Sequence, residues 1–297
     1  MRRSLRWSPI LAFALVACSS TPEPVPTAAA VGADSAPTIP HAVDAVLWSE
    51  TAEEARQLRR SVFAAAARAL EEALAEPSWS ALDQGPAAAG LRPAVIVDVD
   101  ETALDNGPFE VRMAREGRRF DPAIWDAWVV AAAAEPIPGA LEFTRRAAEL
   151  GVRVFYVTNR DASEEAEGTL RNLERAGFPL EPEVDTLLMR GERPEWKSDK
   201  TTRFAEIARE HRVLLVIGDD LNDFLSGARE ASVAARRAMA DAVADRFGTS
   251  WFLLPNPLYG SWLRALGDLE AEGSEAEVRR RKLELLEAFE GEPAPAP

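Results

Sequence analysis

Two short apolar segments, each followed at once by aspartates, constrain the fold more than any other feature of the sequence. The first is AVIVDVD at Ala94–Asp100, and the second is VLLVIGDD at Val213–Asp220, after which Asp223 follows. A continuous apolar run of this length is typical of a strand buried on both faces, as in a parallel sheet. Because ligands bind beyond the carboxyl ends of such strands, the sequence predicts that these carboxylates gather at one functional edge.

Helices and further strands alternate along the rest of the chain. Strong helix formers, with apolar residues three and four positions apart, predict a helix over His41–Glu76 with Ser49 as a candidate N-cap. The other predicted helices are Ala140–Leu150, Ala162–Ala176 and Thr201–Arg209. The other predicted strands are Val152–Val157, Asp185–Met189 and Ser250–Leu254. This alternation favours an α/β fold with a doubly wound parallel sheet.

The composition and the predicted helices and strands divide the chain into five segments. They are a signal segment (1–17), a tether (18–40), an N-terminal helical extension (41–90), the α/β domain (91–269) and a C-terminal helix with a Pro-rich tail (270–297). Residues from about 105 to 137 are numerous enough for a small helical cap inserted in the domain. The aromatic residues of this insertion are Phe109, Phe120, Trp125 and Trp128.

The first twenty residues, MRRSLRWSPILAFALVACSS, are typical of a bacterial lipoprotein signal. The apolar run Ile10–Ala17 is too short to span a bilayer as a mature helix. Cys18 is the only cysteine, and it follows small residues where acylation takes place. We expect cleavage before Cys18, acyl chains such as palmitate on its thiol, and anchoring at the cell envelope. Ser19 favours the outer membrane, and an ordinary signal peptide is the alternative.

The charged residues limit the partners of the chain. A formal net charge of −15 argues against the backbone of a nucleic acid as a partner. Basic residues number 34, yet the lysines are only Lys197, Lys200 and Lys282, and two of these lie in the short string WKSDK. An ammonium on a flexible stem is not equivalent to a guanidinium, so we expect one of these two lysines to act in a site. Chance is the alternative.

Carboxylates gathered at one sheet edge repel each other unless a cation lies among them. Hard oxygen ligands of this kind favour Mg²⁺. The alternative is that these aspartates cap helices and turns. Beside a divalent cation, Asp98 could attack phosphorus to form an acyl phosphate, and Asp100 could protonate the leaving oxygen and then activate water. Thr158 or Asn159, directly after a predicted strand, could donate hydrogen bonds to phosphoryl oxygens.

Four short motifs, VDVDET, VTN, a lysine and GDDLND, resemble those of the haloacid dehalogenase superfamily. Longer strings resemble its class C acid phosphatases, the bacterial outer-membrane phosphatase lipoproteins: AVIVDVDETALDN, FDPAIWDAW, PIPGALEF, VFYVTNR, KSDKTTRFAEI, VIGDDLNDF and LPNPLYGSW. The resemblance covers about Trp48–Leu269. It implies a haloacid dehalogenase-like, Rossmann-like fold with a small helical cap and an N-terminal helix.

The resemblance also implies a role for each residue that matches a motif. Asp98 is the nucleophile and a metal ligand, and Asp100 is the general acid/base, whose backbone carbonyl also binds the metal. Asp219 is the third protein ligand of the Mg²⁺ ion. Lys200 is the lysine of the third motif, with Lys197 as the alternative.

Substrate contacts follow from the same resemblance. Thr158 and Asn159 bind the phosphate, while Asp223 supports the metal ligands without binding the ion. Trp125 and Tyr259 match positions that hold a nucleobase between two aromatic rings, which implies a substrate of the 5′-nucleotide type.

We therefore expect a Mg²⁺-dependent acid phosphatase that acts on nucleoside 5′-monophosphates through an aspartyl phosphate. Two alternatives stay open: a broad-specificity acid phosphatase without nucleotide preference, and a non-catalytic surface-binding lipoprotein on the same fold. A dehalogenase is disfavoured, because halide leaves unprotonated and needs no acid at Asp100. The sequence is also compatible with a homodimer.

Overall fold

The described part of the computed structural model, residues 40–267 and 275–287, has a parallel β-sheet at its centre. The strands in chain order are β1 (Arg92–Val97), β2 (Leu104–Asp105), β3 (Glu135–Pro136), β4 (Arg153–Asp161), β5 (Leu187–Arg190), β6 (His211–Gly218) and β7 (Trp251–Leu253). Five of them form the sheet in the spatial order β5–β4–β1–β6–β7, and β2 pairs antiparallel with β3 outside it. The predicted α/β fold with a doubly wound parallel sheet is confirmed.

Several predictions lie outside the described residues. These are the signal segment (1–17), the acylated Cys18 and the tether (18–40) except for its last residue, Pro40, which is helical. The Pro-rich tail within residues 288–297 also lies outside them. All described residues fall within one unit of the chain, Pro37–Pro297. In this part of the chain, no helix is both long and apolar enough to cross a membrane.

Helices cover the sheet on both faces. In chain order they are α1 (Pro40–Thr51), α2 (Glu53–Ala75), α3 (Gly107–Glu116), α4 (Pro122–Ala131), α5 (Ala140–Glu149), α6 (Ala162–Ala176), α7 (Thr201–Glu210), α8 (Val233–Asp241), α9 (Ser261–Arg264) and α10 (Glu275–Glu287). Apolar residues of α2, α5 and α6 pack with Val95 and Leu215 of the sheet. On the other face, Phe204 of α7 packs with Ile96 and Val216. This double burial explains why β1 and β6 are apolar without alternation.

The register of the sheet places the first aspartate at a reversal of strand order. Val97, the last residue of β1, is paired with Tyr156 of β4 and with Ile217 of β6. The next residue, Asp98, donates its backbone N–H to the Ile217 carbonyl at 2.9 Å. The chain passes from β1 to β4 on one side and later to β6 on the other. A crevice for a ligand is expected beyond such a reversal.

The predicted single helix over His41–Glu76 is wrong in one respect. The chain forms two helices, α1 and α2, because Ala52 between them has an extended backbone (φ −79°, ψ 124°). Ser49 is therefore not an N-cap. It is buried within α1, and its Oγ accepts a hydrogen bond of 2.5 Å from Nη2 of the buried Arg59. The Arg59–Ser49 contact joins α2 to α1 across the break.

Strand β4 is longer than its predicted range, Val152–Val157. It continues to Asp161, so that Thr158 and Asn159 lie inside the strand rather than after it. The register with β5 shifts between Thr158 and Asp161. The segment between these two residues, which includes Asn159, is therefore not regularly paired with β5.

Helices α3 and α4 lie between β2 and β3, which pair with each other. Helix α3 ends at Gly117, whose positive φ of 60° suits a residue without a side chain. Helix α4 begins after Asp121, whose carboxylate accepts the backbone N–H groups of Ala123 and Ile124. Helix α4 packs against α6. We call residues 104–136 the cap.

Candidate active site

A buried lysine joins two aspartates at the carboxyl edge of the sheet. Lys200 is only 3% exposed, and its Nζ contacts Asp98 Oδ1 and lies 2.7 Å from Asp223 Oδ1. Although burial opposes it, attraction to Asp223 and Asp98 raises the pKa of Lys200 above its ordinary value. A buried charge is costly unless it is paired, and here one ammonium has two carboxylates.

The two candidate lysines occupy different environments. Lys197 is exposed, and its backbone carbonyl accepts a hydrogen bond of 2.8 Å from Arg203. Lys200 directly precedes α7, and it is the lysine whose ammonium lies beside Asp98. The structure therefore places Lys200, and not Lys197, where the third-motif lysine was predicted to act.

Three carboxylates converge next to this lysine. One carboxylate oxygen from each of Asp98, Asp219 and Asp223 lies within 4.8 Å of the others. Burial, with repulsion from Asp223 and Asp100, raises the pKa of Asp98 to about 7, although Lys200 opposes the shift. Burial and repulsion from Asp223 and Asp98 also raise the pKa of Asp219. One lysine does not balance three carboxylates, of which Asp98 and Asp223 are buried and Asp219 is half-buried. An all-oxygen donor set of this kind fits a hard divalent cation such as Mg²⁺.

Backbone groups fix the part of this cluster that follows β6. Asp223 Oδ2 accepts the backbone N–H groups of Asp219 at 3.1 Å and Asp220 at 3.0 Å. Any Cβ on Gly218 would lie 2.5 Å from Asp223 Oδ2, so the turn requires a glycine there. Asp219 Oδ2 accepts a hydrogen bond of 2.7 Å from Asn256. Asp219 Oδ1 accepts a hydrogen bond of 3.3 Å from Thr102 Oγ1. The turn is thus closed around Asp223, while Asn256 and Thr102 hold the Asp219 carboxylate.

Asp100 belongs to a different set of contacts. Its Oδ1 accepts hydrogen bonds from Arg160 Nε at 3.0 Å, from Arg160 Nη2 at 2.8 Å and from Asn106 Nδ2 at 2.9 Å. Its Oδ2 lies 3.4 Å from the donor Thr158 Oγ1. The side chain of Asp100 is thus held by Arg160 and Asn106, which do not hold the three clustered carboxylates.

The two residues predicted to bind phosphate differ in exposure. Asn159 lines the cavity above the sheet edge, and its Oδ1 accepts a hydrogen bond of 2.7 Å from Arg203. Thr158 is fully buried and is not among the described residues that line the cavity. Its Oγ1 accepts the backbone N–H of Arg160 at 3.1 Å. The Thr158 hydroxyl is therefore directed at Asp100 and Arg160.

A fully buried arginine, Arg203, holds together the segments that carry the site residues. Arg203, in the first turn of α7, donates through Nη1 to the Thr158 carbonyl and through Nη2 to Asn159 and to the Lys197 carbonyl. It ties β4 to the segment that carries Lys200. Burial lowers the pKa of Arg203 to about 10, which still leaves it charged near neutral pH.

A cavity of about 1150 Å³ lies above these residues. Its lining includes Phe109, Phe120 and Trp125 of the cap, together with Tyr259 and Trp262 of the segment from β7 to α9. Both rings that were predicted to hold a nucleobase therefore line the same cavity as the carboxylates.

Trp125 has fixed contacts within the protein. Its Nε1 donates to Glu165 Oε1 at 3.0 Å, and its ring packs edge-on against Phe109 with centroids 5.2 Å apart. The Arg160 guanidinium carbon lies over the ring, 5.3 Å from its centroid. Trp128, on the same helix, donates from Nε1 to Asn106 Oδ1 at 2.8 Å. Two tryptophans of the cap thus contact Arg160 and Asn106, the residues that donate to Asp100 Oδ1.

The loop that carries Tyr259 is anchored by Asp220. The backbone N–H and the hydroxyl of Ser261 both donate to the Asp220 carboxylate. Gly260 has a φ of 140°, and a Cβ there would lie 2.7 Å from Asp220 Oδ2. Asp220 therefore holds the loop, although it directly follows a member of the carboxylate cluster.

Some of these residues were not singled out from the sequence. They are Arg160, Arg203 and Asn106, together with the anchoring role of Asp220. The signals for two of them are their positions: Arg160 directly follows VTN, and Arg203 comes three residues after Lys200 on the buried side of an amphipathic helix. No sequence pattern marks Asp220 as an anchor, because Ser261 lies 41 residues away.

Comparison with known proteins gives one family. The family model of the HAD superfamily, subfamily IIIB (acid phosphatase), matches residues 14–262. Acid phosphatase 1 of Solanum lycopersicum is 29% identical over 168 residues, which cover 55% of this chain and 57% of that protein. The stem 31 kDa glycoprotein of Glycine max is 25% identical over 168 residues, which cover 55% of this chain and 58% of that protein. The chain thus spans little more than half the length of these curated relatives.

Solved structures agree in fold. The class C acid phosphatase from Bacillus anthracis has a TM-score of 0.69 and 30% identity, over 82% of this chain and 94% of that chain. A structure of the same enzyme with tungstate bound has a TM-score of 0.70 at the same identity. The resemblance that the motifs indicated is confirmed, as is the haloacid dehalogenase-like fold.

Replacing Asp219 tests the charge balance of the carboxylate cluster. Because the pKa of Asp219 is raised in the folded protein, the stability of the metal-free protein falls as the pH rises from the ordinary aspartate pKa through the raised value. We expect Asp219→Asn to raise the thermal midpoint of the metal-free protein at pH 7.5 and to abolish the further rise that Mg²⁺ causes. Asp126→Asn, which alters a cavity carboxylate outside the cluster, should leave the Mg²⁺ effect intact. An unchanged Mg²⁺ effect in Asp219→Asn would contradict a cation site here.

Proposed function

The chain belongs to subfamily IIIB of the HAD superfamily, the acid phosphatases, and on this premise we propose that it hydrolyses phosphate monoesters through a phosphorylated Asp98 with Mg²⁺ as its cofactor. The observation that carries the proposal is the group formed by the buried Asp98 and Asp223 and the half-buried Asp219, with Lys200 against Asp98. This group combines a carboxylate nucleophile, oxygen ligands for a divalent cation and a fixed positive charge.

In the first step, a carboxylate oxygen of Asp98 attacks phosphorus while the bond from phosphorus to the ester oxygen breaks. The electron pair of that bond stays on the departing oxygen, which takes a proton from Asp100 and leaves as an alcohol. In the second step, water attacks phosphorus and gives a proton to Asp100. The bond to Asp98 breaks, and inorganic phosphate leaves. Both aspartates line the cavity, where a substrate can reach them.

The residues at the sheet edge fit the cofactor. Asp98 and Asp219, with the backbone carbonyl of Asp100 that the family resemblance implies, would hold a divalent cation whose charge offsets that of the carboxylates and the phosphate. Lys200 orients Asp98 and adds a second positive charge beside it. Asp223 fixes Lys200 through its Oδ1 and the turn after β6 through its Oδ2.

Phosphate release from p-nitrophenyl phosphate tests the reaction. We expect Mg²⁺-dependent release that EDTA abolishes and that Asp98→Asn lowers roughly 1,000-fold or more, because the covalent route is lost. Lys200→Met should also lose most of the activity, whereas the matched variant Lys197→Met should not, since Lys197 is exposed. Tungstate, which is bound in a solved structure of the Bacillus anthracis relative, should inhibit competitively.

A folded, Mg²⁺-loaded protein that releases no phosphate would overturn the proposal. It would favour the non-catalytic surface-binding lipoprotein. Circular dichroism of each variant, compared with the wild type, establishes that a loss of activity is not a loss of fold.

We further propose that nucleoside 5′-monophosphates are the preferred substrates. Trp125 and Tyr259 line the same cavity as Asp98, and an aromatic ring can stack on any nucleobase. Because such stacking is tolerant of base identity, the proposal predicts activity on all the common nucleotides. A broad acid phosphatase would instead treat nucleotides and simple aryl phosphates alike.

The substrate preference is tested at Tyr259. Stacking on an aromatic ring contributes about 1–3 kcal/mol, so we expect Tyr259→Ala to lower kcat/KM for nucleotides ~10-fold. The same variant should leave kcat/KM for p-nitrophenyl phosphate nearly unchanged, and Tyr259→Phe, which keeps the ring, should retain the preference. Equal losses on both substrates would favour the broad-specificity enzyme.

The envelope location rests on the sequence alone, and we propose that Cys18 carries the lipid anchor. Several acyl chains hold a protein on a membrane far better than one. In the full-length chain, we expect Cys18→Ser to move the protein from the membrane fraction to the soluble fraction after cell lysis, while the wild type stays with the membrane and incorporates labelled palmitate. Equal partitioning of the two proteins would show that Cys18 is not the anchor.

A further inference from the structure

The two oxygens of the Asp100 carboxyl group have unequal surroundings. Oδ1 receives three donors, two from Arg160 and one from Asn106, at distances between 2.8 and 3.0 Å. Oδ2 has a longer contact of 3.4 Å with Thr158 Oγ1. An oxygen with three short contacts has little capacity for another hydrogen bond. The asymmetry therefore leaves Oδ2 as the oxygen available to a substrate.

Arg160 lines the cavity but is itself held in place by acceptors within the protein. Its side chain is 1% exposed. Its Nη1 donates to Thr169 Oγ1 at 3.0 Å, while Nε and Nη2 donate to Asp100. Each of the three guanidinium nitrogens thus has a protein acceptor. The Trp125 ring lies against the guanidinium group. These contacts favour a fixed position beside Asp100 over direct contact with the substrate.

Asn106 is fixed in a similar way. Its backbone N–H donates to Glu101 Oε1 at 3.0 Å, and its Oδ1 accepts the Trp128 indole N–H at 2.8 Å. Asn106 has no exposed surface. Since its Oδ1 accepts from Trp128, its amide nitrogen is directed at Asp100. This assigns the orientation of the amide from its hydrogen bonds.

We propose that Arg160 and Asn106 are positioning residues for Asp100: they hold the carboxyl group by Oδ1, so that Oδ2 passes the proton to the leaving oxygen. This inference rests on the proposed phosphatase function. When the bond from phosphorus to the ester oxygen breaks, the leaving oxygen takes the proton from Oδ2, and the carboxylate charge that remains lies beside the Arg160 guanidinium. Water returns a proton to Oδ2 in the second step. Without Arg160, the carboxyl group would keep one short contact and could rotate away from the leaving group.

The test uses leaving groups of different quality. p-Nitrophenolate leaves without protonation, whereas the alkoxide of a simple alkyl phosphate needs the proton from Asp100. We expect Arg160→Met to lower kcat/KM for the alkyl ester ~10- to 100-fold more than for p-nitrophenyl phosphate, because general-acid catalysis is worth a factor of that order or more. The loss should fall mainly on kcat. Arg160→Lys, which keeps the charge without the fork of donors, should recover part of it.

Controls separate positioning from a general effect on structure. Arg153→Met removes another largely buried arginine of the same strand, one that pairs with Glu181, and should leave the ratio between the two esters unchanged. In the background of Asp100→Asn, Arg160→Met should cause no further loss on the alkyl ester, because the acid is already absent. If Arg160→Met does not fold, Asn106→Ser removes the third donor, together with the acceptor of the Trp128 indole N–H, and should cause a smaller selective loss.

The outcomes distinguish this inference from the function on which it rests. Equal losses on the two esters, or a loss confined to KM, would overturn the positioning role and leave the phosphatase in place. A wild-type protein that hydrolyses neither ester would overturn the proposed function, and this inference with it. A selective loss on the alkyl ester that disappears in the Asp100→Asn background supports it.

Discussion

The ion pair between the Lys200 ammonium and the carboxylates of Asp98 and Asp223 holds together parts of the chain that are distant in sequence. Lys200 and Asp98 are 102 residues apart. The residue directly after β1 supplies one carboxylate, the turn after β6 supplies the other, and the residue before α7 supplies the ammonium. Because all three groups are buried, removal of the lysine would leave two carboxylates facing each other without a counter-charge. The pairing therefore sets where a further cation can be accommodated.

The parts of the chain that meet at the sheet edge are held in place by further hydrogen bonds. Asp223 accepts two backbone N–H groups, Arg203 joins β4 to the segment of Lys200, and Asp220 fixes the loop of Tyr259. Only Asp220 and Asp223 come from the acidic motif itself. Neighbouring aspartates in one motif thus act differently, because backbone N–H groups and a distant loop have taken the oxygens of some of them. Asp219 and Asp223 meet Asp98 at the cluster, whereas Asp220 holds the loop.

The sequence predicted those features that follow from local periodicity and from the polarity of a parallel sheet. Asp98 and Asp219 meet because the apolar strands before them are neighbours, and this could be inferred from two short strings. The break at Ala52 could not, since nothing in the helical spacing marks one extended residue. The choice between Lys200 and Lys197 was also open, because it depends on where α7 begins. The contact of Arg160 with Asp100 joins residues 60 positions apart, which no spacing rule connects.

Trp125 links the two halves of the proposed chemistry. One face of its indole lies against the Arg160 guanidinium, and its Nε1 is bound by Glu165. A nucleobase stacked on Trp125 would therefore contact a ring that itself lies against Arg160, the side chain that holds Asp100. Truncation of Trp125 would therefore alter both substrate binding and the position of the acid, and its effect alone could not assign either role. Tyr259, on a loop anchored separately through Ser261 and Asp220, does not share this contact, so it reports on stacking alone.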